Sequence, residues 1–254
     1  MEILVFGAGS LGSLLGGLLA RAHDVTLVGR ESHVRAIERA GLRIEGEIEA
    51  TVATTARTDP PASADLAVVA VKAGDTAGAA DALADCDLDA CLSVQNGLGN
   101  EATLADALDC PVLAGTCTYG ARLGDPGTVE CTGVGEVVLG PREGGESTLA
   151  DRIGRAFSEG GIETIVAADM PARLWEKLAV NAAINATTAL ARVPNGALVD
   201  GPASTVAERA ARETAAVARE HGVDLSGDDA AAAALGVADD TARNTSSMRQ
   251  DVEA

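Results

Sequence analysis

Short apolar runs alternate with helix-periodic stretches through the first half of the chain. Glu2–Phe6 predicts a strand, Ser10–Arg21 a helix, Asp24–Val28 a strand and Ser32–Ala40 a helix. Leu66–Val71 predicts a strand with few polar interruptions, followed by a helix over Thr76–Ala84. Ala90–Val94 and Val112–Gly115 predict further buried strands. Near-continuous apolar strands alternating with helices indicate a parallel sheet covered on both faces. Thr128–Thr132 and Gly133–Leu139 read as the two arms of a glycine-turned hairpin.

After residue 167 the pattern becomes purely helical. Arg173–Ala191, led by Pro171, predicts a long helix that stops before Pro194-Asn195-Gly196. An Ala-rich helix follows over Ala203–His221, with Gly222 as its stop, and a third is predicted near Asp228–Leu235. The expected fold class is α/β, with residues 1–167 forming a doubly wound sheet and residues 168–254 a smaller all-α domain.

Candidate chemistry begins at Gly7-Ala8-Gly9-Ser10-Leu11-Gly12, which leaves the first strand and opens a helix. Glycines at this spacing permit a tight turn, close approach of backbone to a pyrophosphate and close helix–strand packing. The helix N-terminus adds unpaired N–H groups and a positive dipole end. This context predicts a Rossmann-type dinucleotide site. An NAD enzyme usually places an acid at the tip of the second strand, whereas this chain reads Leu27-Val28-Gly29-Arg30. A guanidinium there suits the 2′-phosphate of NADP(H); covering a helix end is its alternative role. Lys72 is expected to close the strand that ends at Val71, and Asn96-Gly97 follows the next strand at the same edge. Both are candidate cofactor or substrate contacts.

On the long helix, Lys177, Asn181 and Asn185 lie at i, i+4 and i+8 and so share one face. The residues between them are nearly all apolar, which predicts a polar stripe on an otherwise buried helix. Buried polar groups need partners. A satisfied core stripe is one reading, and a pocket for a substrate is the other. Lys supplies three donors and can release a proton, while two amides can bind a carboxylate and hydroxyls.

Composition changes the picture in two ways. With 19 Lys plus Arg against 38 acids, the formal charge is −19. That charge disfavours nucleic acid and anionic membrane surfaces as partners. Only Lys72 and Lys177 are lysines, so the few that remain draw attention to their positions. The acidic, Lys-poor composition fits a salt-rich cytosol, and codon bias would produce the same result. Five cysteines with no C-x-x-C pair, and only three histidines, leave no zinc spacing, so no metal is expected. The first residues carry no basic n-region or cleavage site, and no apolar run reaches membrane-spanning length. A cytoplasmic location with reduced thiols follows as an expectation.

Taken together, Gly7–Gly12, Arg30, Lys72, Gln95-Asn96-Gly97, Gly115-Thr116-Cys117-Thr118-Tyr119-Gly120-Ala121, the Trp175/Lys177/Asn181/Asn185 helix, Pro194-Asn195-Gly196 and Ser246-Ser247-Met248-Arg249-Gln250-Asp251 resemble the ketopantoate reductase family, in family order over essentially the whole chain. The resemblance implies NADPH-dependent reduction of the C2 ketone of 2-dehydropantoate (ketopantoate) to pantoate, on the way to pantothenate and coenzyme A. It implies a 6-phosphogluconate-dehydrogenase-like helical domain. It also implies Lys177 as general acid. Asn181, Asn185, Asn195, Asn244 and Ser247 would hold the substrate, and Lys72, Asn96 and Ala121 would contact NADP(H) with the glycine loop and Arg30. The expected partner is a small 2-oxo acid, with a homodimer as the assembly to test. The family's Ser-Ser-Met stretch leads into a Thr-Glu motif that this sequence does not reach, so the helical domain is expected to be shortened at its C-terminus. Two further readings fit the same residues: a reductase of another 2-oxo acid, and an NADP(H)-binding protein without turnover.

Overall fold

The computed structural model describes residues 1–253. It divides into two compact units, the first Met1–Met170 and the second from Pro171 onward.

The first unit follows the order β1 (Glu2–Phe6), α1 (Ser10–Leu19), β2 (Asp24–Val28), α2 (Glu31–Ala40), β3 (Leu42–Gly46), β4 (Ala50–Val52), β5 (Thr55–Arg57), β6 (Ser63–Val69), α3 (Thr76–Leu83), β7 (Asp87–Ser93), α4 (Asn100–Ala107), β8 (Val112–Cys117), β9 (Gly120–Leu123), β10 (Thr128–Gly133), β11 (Glu136–Pro141), α5 (Thr148–Glu159) and β12 (Glu163–Val166). Eight strands form one sheet in the order β12-β11-β8-β7-β6-β1-β2-β5. All its pairings are parallel except β11 with β8. Alternate residues of one strand feed opposite faces, as a period of two requires. Ile3 and Val5 enter the core with α1, α2 and α5, while Leu4 enters the core with α3 and α4. Burial on both faces explains why these strands read as continuous apolar runs.

A second, four-stranded sheet has the order β4-β3-β10-β9. Helix α1 lies between the two sheets, and consecutive glycines make that possible. A Cβ on Gly16 would stand 2.3 Å from Leu27 of the large sheet, and one on Gly17 would stand 2.9 Å from Leu42 and Ile44 of the small one. Here the structure corrects the sequence reading. Thr128–Gly133 and Glu136–Pro141 are not the arms of a hairpin. β10 pairs with β9 and β3, whereas β11 pairs with β8 and β12. The chain changes sheets twice at neighbouring points, Thr118–Tyr119 and Val134–Gly135. There the Thr118 amide donates to the Glu136 carbonyl at 3.0 Å, and the Glu136 amide donates to the Thr118 hydroxyl at 2.9 Å. A Cβ on Gly135 would fall 2.6 Å from the Thr118 backbone, so the glycines that suggested a turn instead allow a crossing.

The second unit contains α6 (Met170–Ala191), a 3-10 turn at Asn195–Leu198, α7 (Pro202–Glu220), α8 (Gly227–Asp240) and α9 (Ser247–Glu253). Its core is built largely from alanine: Ala207, Ala211, Ala215 and Ala218 of α7 meet Ala230, Ala231, Ala234 and Ala238 of α8, with Ala179 and Ala183 of α6. Small side chains let helices approach closely, which compensates for the near absence of aromatics. Trp175 rests against the His221 ring at the end of α7, with centroids 5.4 Å apart. Among the described residues no helix is long and apolar enough to cross a membrane, and no group of His, Cys, Asp or Glu is placed to hold a metal.

Candidate cofactor and substrate residues

The loop between β1 and α1 is held by its neighbours. The Gly7 and Ala8 amides both donate to the Val28 carbonyl, at 3.0 and 2.8 Å, fixing the loop against the end of β2. Gly7 has φ +104°, and a Cβ on it would meet Val71 at 2.7 Å. A Cβ on Gly12 would stand 2.1 Å from the Gly7 carbonyl oxygen. Gly9 differs, since a Cβ there would meet nothing within 4 Å. It is the N-cap of α1, where no side chain caps the helix and no acid lies in the first turn. The space beside Gly9 is thus unfilled where α1 begins, and the first-turn amides that follow, Ser10 to Gly12, have no intrahelical partner. That combination fits the diphosphate of a dinucleotide. The Ser10 hydroxyl accepts from the Leu123 amide at 3.0 Å and ties the helix start to β9, the strand that carries half-buried Ala121. Leu11 packs at the margin of the core.

Arg30 is the exposed N-cap of α2, immediately beyond β2. Lys72 does not close a strand. β6 ends at Val69, because its ladder partner β1 ends at Phe6 where the chain turns into the glycine loop. Lys72 instead caps a 3-10 turn, Ala73–Asp75, that leads into α3.

Asn96 is exposed beyond β7, and a buried polar network that the sequence reading did not anticipate runs beneath it. The Gln95 amide nitrogen donates to the Thr76 hydroxyl at 2.8 Å and to the Val71 carbonyl at 3.2 Å. Thr76 donates to the Asn100 side-chain oxygen at 2.9 Å, and the Asn100 amide nitrogen donates to the Asn96 carbonyl at 3.2 Å. Gln95 thus joins the segment that carries Lys72 to the segment that carries Asn96. The only trace in the sequence is Asn100, four residues after Asn96 at the start of a helix. Nearby, burial raises the pKa of Glu101, against the opposing pull of its own backbone amide, the Ser93 hydroxyl and Arg142.

In the second unit Lys177, Asn181 and Asn185 share one face of α6 as their spacing requires, and all three are half-buried. The helix is not otherwise buried, which corrects the sequence reading. Beyond its first residue, Met170, only the Ala179/Ala183/Thr187 side, about 160° away at 100° per residue, and the adjoining Ile184 and Thr188 are buried. The core holds one face and leaves the polar one partly open. Among the described residues the Asn181 and Asn185 side chains have no hydrogen-bond partner.

Asn195 is buried. Its Nδ2 donates to the Thr241 hydroxyl at 2.9 Å, while its Oδ1 has no partner among the described residues. Asn244 and Ser247 are exposed. The Asn244 carbonyl accepts from the Asn195 amide at 3.1 Å. Ser246, not Ser247, is enclosed: its hydroxyl bonds that of Thr188 on α6 at 2.7 Å and accepts from the Arg249 amide at 3.3 Å, anchoring the start of α9.

Comparison with known proteins accounts for both units. Residues 3–144 match the family described as Ketopantoate reductase PanE/ApbA, and residues 169–254 match its C-terminal counterpart. A 2-dehydropantoate 2-reductase of Halobacterium salinarum is 46% identical over 99% of this chain and 86% of its own length. A PanE/ApbA family ketopantoate reductase from Ralstonia eutropha JMP134 superposes with a TM-score of 0.90 at 35% identity, covering 100% of this chain and 85% of the other. D-mandelate dehydrogenase in complex with NADH and anilino(oxo)acetate shares the fold, with a TM-score of 0.90 at 23% identity over 100% of this chain and 85% of its own. The chain belongs to the ketopantoate reductase family, NADPH-dependent oxidoreductases that convert 2-dehydropantoate to pantoate in pantothenate biosynthesis.

Proposed function

We propose that Lys177 is the general acid of ketopantoate reduction and that Asn181, Asn185, Asn195, Asn244 and Ser247 hold the substrate. When bound, NADPH supplies a hydride to the C2 ketone. Lys177 then gives a proton from its ammonium to the oxygen that accumulates charge, and before transfer its positive charge stabilises that oxygen. Arginine does not give up its proton in a protein, so lysine at this position has a chemical reason in a chain that otherwise uses arginine. The Asn181 and Asn185 amides offer donors to the substrate carboxylate and acceptors to its hydroxyl. On the cofactor side the Gly7–Gly12 loop receives the diphosphate at the first-turn amides of Ser10, Leu11 and Gly12, those of Gly7, Ala8 and Gly9 being engaged within the protein; Arg30 meets the 2′-phosphate, and Lys72, Asn96 and Ala121 complete the contacts. Gln95 acts through Asn96 and is a positioning residue.

The observation that carries this reading is the half-open Lys177/Asn181/Asn185 face, with two amides left for a ligand. None of the five cysteines is in a disulfide, which supports a reducing, cytoplasmic setting. Exposed Leu190 and Val206 support burial of part of the second unit in a homodimer. The test is NADPH oxidation with ketopantoate and with pyruvate. The proposal expects turnover of ketopantoate, strong preference over the smaller acid, and loss of turnover in Lys177→Ala with NADPH binding retained.

A further inference from the structure

Several arginines in this acidic chain find carboxylates: Arg43 pairs with Glu45, Arg122 with Glu130, Arg152 with Asp89, and Arg212 with both Glu208 and Asp228. Two at the carboxyl end of the large sheet do not. Arg30 follows β2, and the neighbouring Glu31 is engaged by Arg35 one turn along α2. Arg57 ends β5, the strand beside β2, in register with Val28. The acid closest to Arg57 in sequence, Asp59, accepts from the Thr58 hydroxyl at 2.8 Å. Both arginines are exposed, and neither has an ion pair among the described residues.

Their backbones are tied together. The Gly29 amide, just before Arg30, donates to the Arg57 carbonyl at 3.0 Å. A Cβ on Gly29 would stand 2.8 Å from that of Ala8, so this corner abuts the glycine loop. Adjacent strands lie about 4.8 Å apart and rise about 3.3 Å per residue, which puts the two arginine Cα atoms roughly 8 Å apart. Two extended guanidinium side chains span that distance and can converge on one dianionic group. A phosphate takes paired charge-assisted hydrogen bonds from each. The net charge of −19 sharpens the need, because an anionic cofactor meets a repulsive field except where cations stand unneutralised.

We infer that Arg57 is a second specificity-determining contact to the 2′-phosphate of NADP(H), acting beside Arg30. This rests on the reading that the glycine loop and the end of β2 receive the dinucleotide. The ribose of NADH carries a hydroxyl in place of the phosphate and gives Arg57 no charge to meet. Arg57 holds Gly29 through its carbonyl, which substitution of the side chain leaves in place.

The test compares wild type, Arg57→Ala, Arg57→Lys and Arg30→Ala by kcat/KM with NADPH and with NADH, and by competitive inhibition with 2′-AMP and 5′-AMP. Arg57→Ala is expected to lower the NADPH-over-NADH preference about tenfold and to weaken 2′-AMP, but not 5′-AMP, by a similar factor; Arg57→Lys should recover part of both. An unchanged preference in Arg57→Ala, or equal weakening of 2′-AMP and 5′-AMP, overturns the inference. If Arg30→Ala alone shifts the preference, the NADP site stands at the end of β2 and Arg57 is not part of it. If neither arginine matters, the reading on which the inference rests fails as well.

Discussion

His33 offers a test of how the first unit is held together. It is 3% exposed on α2, and its ring bridges two other elements. Nδ1 accepts from the Gly127 amide in the β9–β10 turn at 3.0 Å, and Nε2 lies 3.0 Å from the Ser13 hydroxyl on α1. Accepting from a backbone N–H requires Nδ1 to be unprotonated, so the folded ring is neutral with its proton on Nε2. Burial lowers its pKa below the ordinary 6.5. A depressed folded value means that the unfolded chain binds the proton more tightly. The stability from His33 is therefore fully present above pH 6.5 and is lost as pH falls toward and through the folded value. The variant His33→Leu keeps bulk but strands the Gly127 donor. An unsatisfied buried donor costs about 1–3 kcal/mol, and the lost bond to Ser13 adds about 1 kcal/mol, for a total of about 2–4 kcal/mol at pH 7.5. Urea unfolding followed by circular dichroism between pH 5.5 and 7.5 gives the comparison. Other titrating groups cancel in the difference between the two proteins. The gap should be widest at pH 7.5 and should narrow on acidification. A gap that stays constant with pH, or that widens as pH falls, refutes the neutral bridging ring.

Two further predictions separate folding from binding. Gly12→Ala forces a Cβ to 2.1 Å from the Gly7 carbonyl oxygen, so it should lower the melting temperature and abolish NADPH binding together, whereas Gly9→Ala enters space empty of protein atoms and should leave the melting temperature within about 2 °C while weakening NADPH at least about tenfold by fluorescence titration. Gln95→Ala breaks the link between the Lys72 and Asn96 segments. It should raise the KM for NADPH by about three- to tenfold with a smaller change in kcat, while Gln95→Glu, which loses the donor but keeps the shape, should not restore the KM.

The sequence exposes some of this architecture and hides the rest, for reasons that lie in particular residues. Strands β1, β2, β6, β7 and β8 are legible because burial on both faces leaves continuous apolar runs, and the glycine loop is legible because backbone sterics admit few alternatives at Gly7 and Gly12. Strands β3, β4 and β5 are three to five residues long and interrupted by polar or charged positions, so their partners are chosen by tertiary contact and not by local pattern. Arg57 is hidden for that reason: nothing local announces that it ends a strand beside β2. The supposed hairpin at Gly133–Gly135 fails because glycine marks both tight turns and close crossings, and only the strand partners distinguish them. The stripe on α6 is visible as an i, i+4, i+8 spacing, but the period cannot say that its far side, not its own, meets the alanine core. The Gln95–Thr76–Asn100 network joins residues 19 to 24 positions apart, beyond any local signal.

The central claim is that Lys177 gives the proton in ketopantoate reduction. Its most direct test is single-turnover oxidation of bound NADPH by ketopantoate in wild type, Lys177→Ala and Lys177→Arg, with NADPH affinity measured on the same samples. The account predicts a rate lowered by about 10²–10⁴-fold in Lys177→Ala. Affinity for NADPH should be unchanged, and Lys177→Arg should recover little because its proton is not released. Hydride transfer at near wild-type rate in either variant would contradict it.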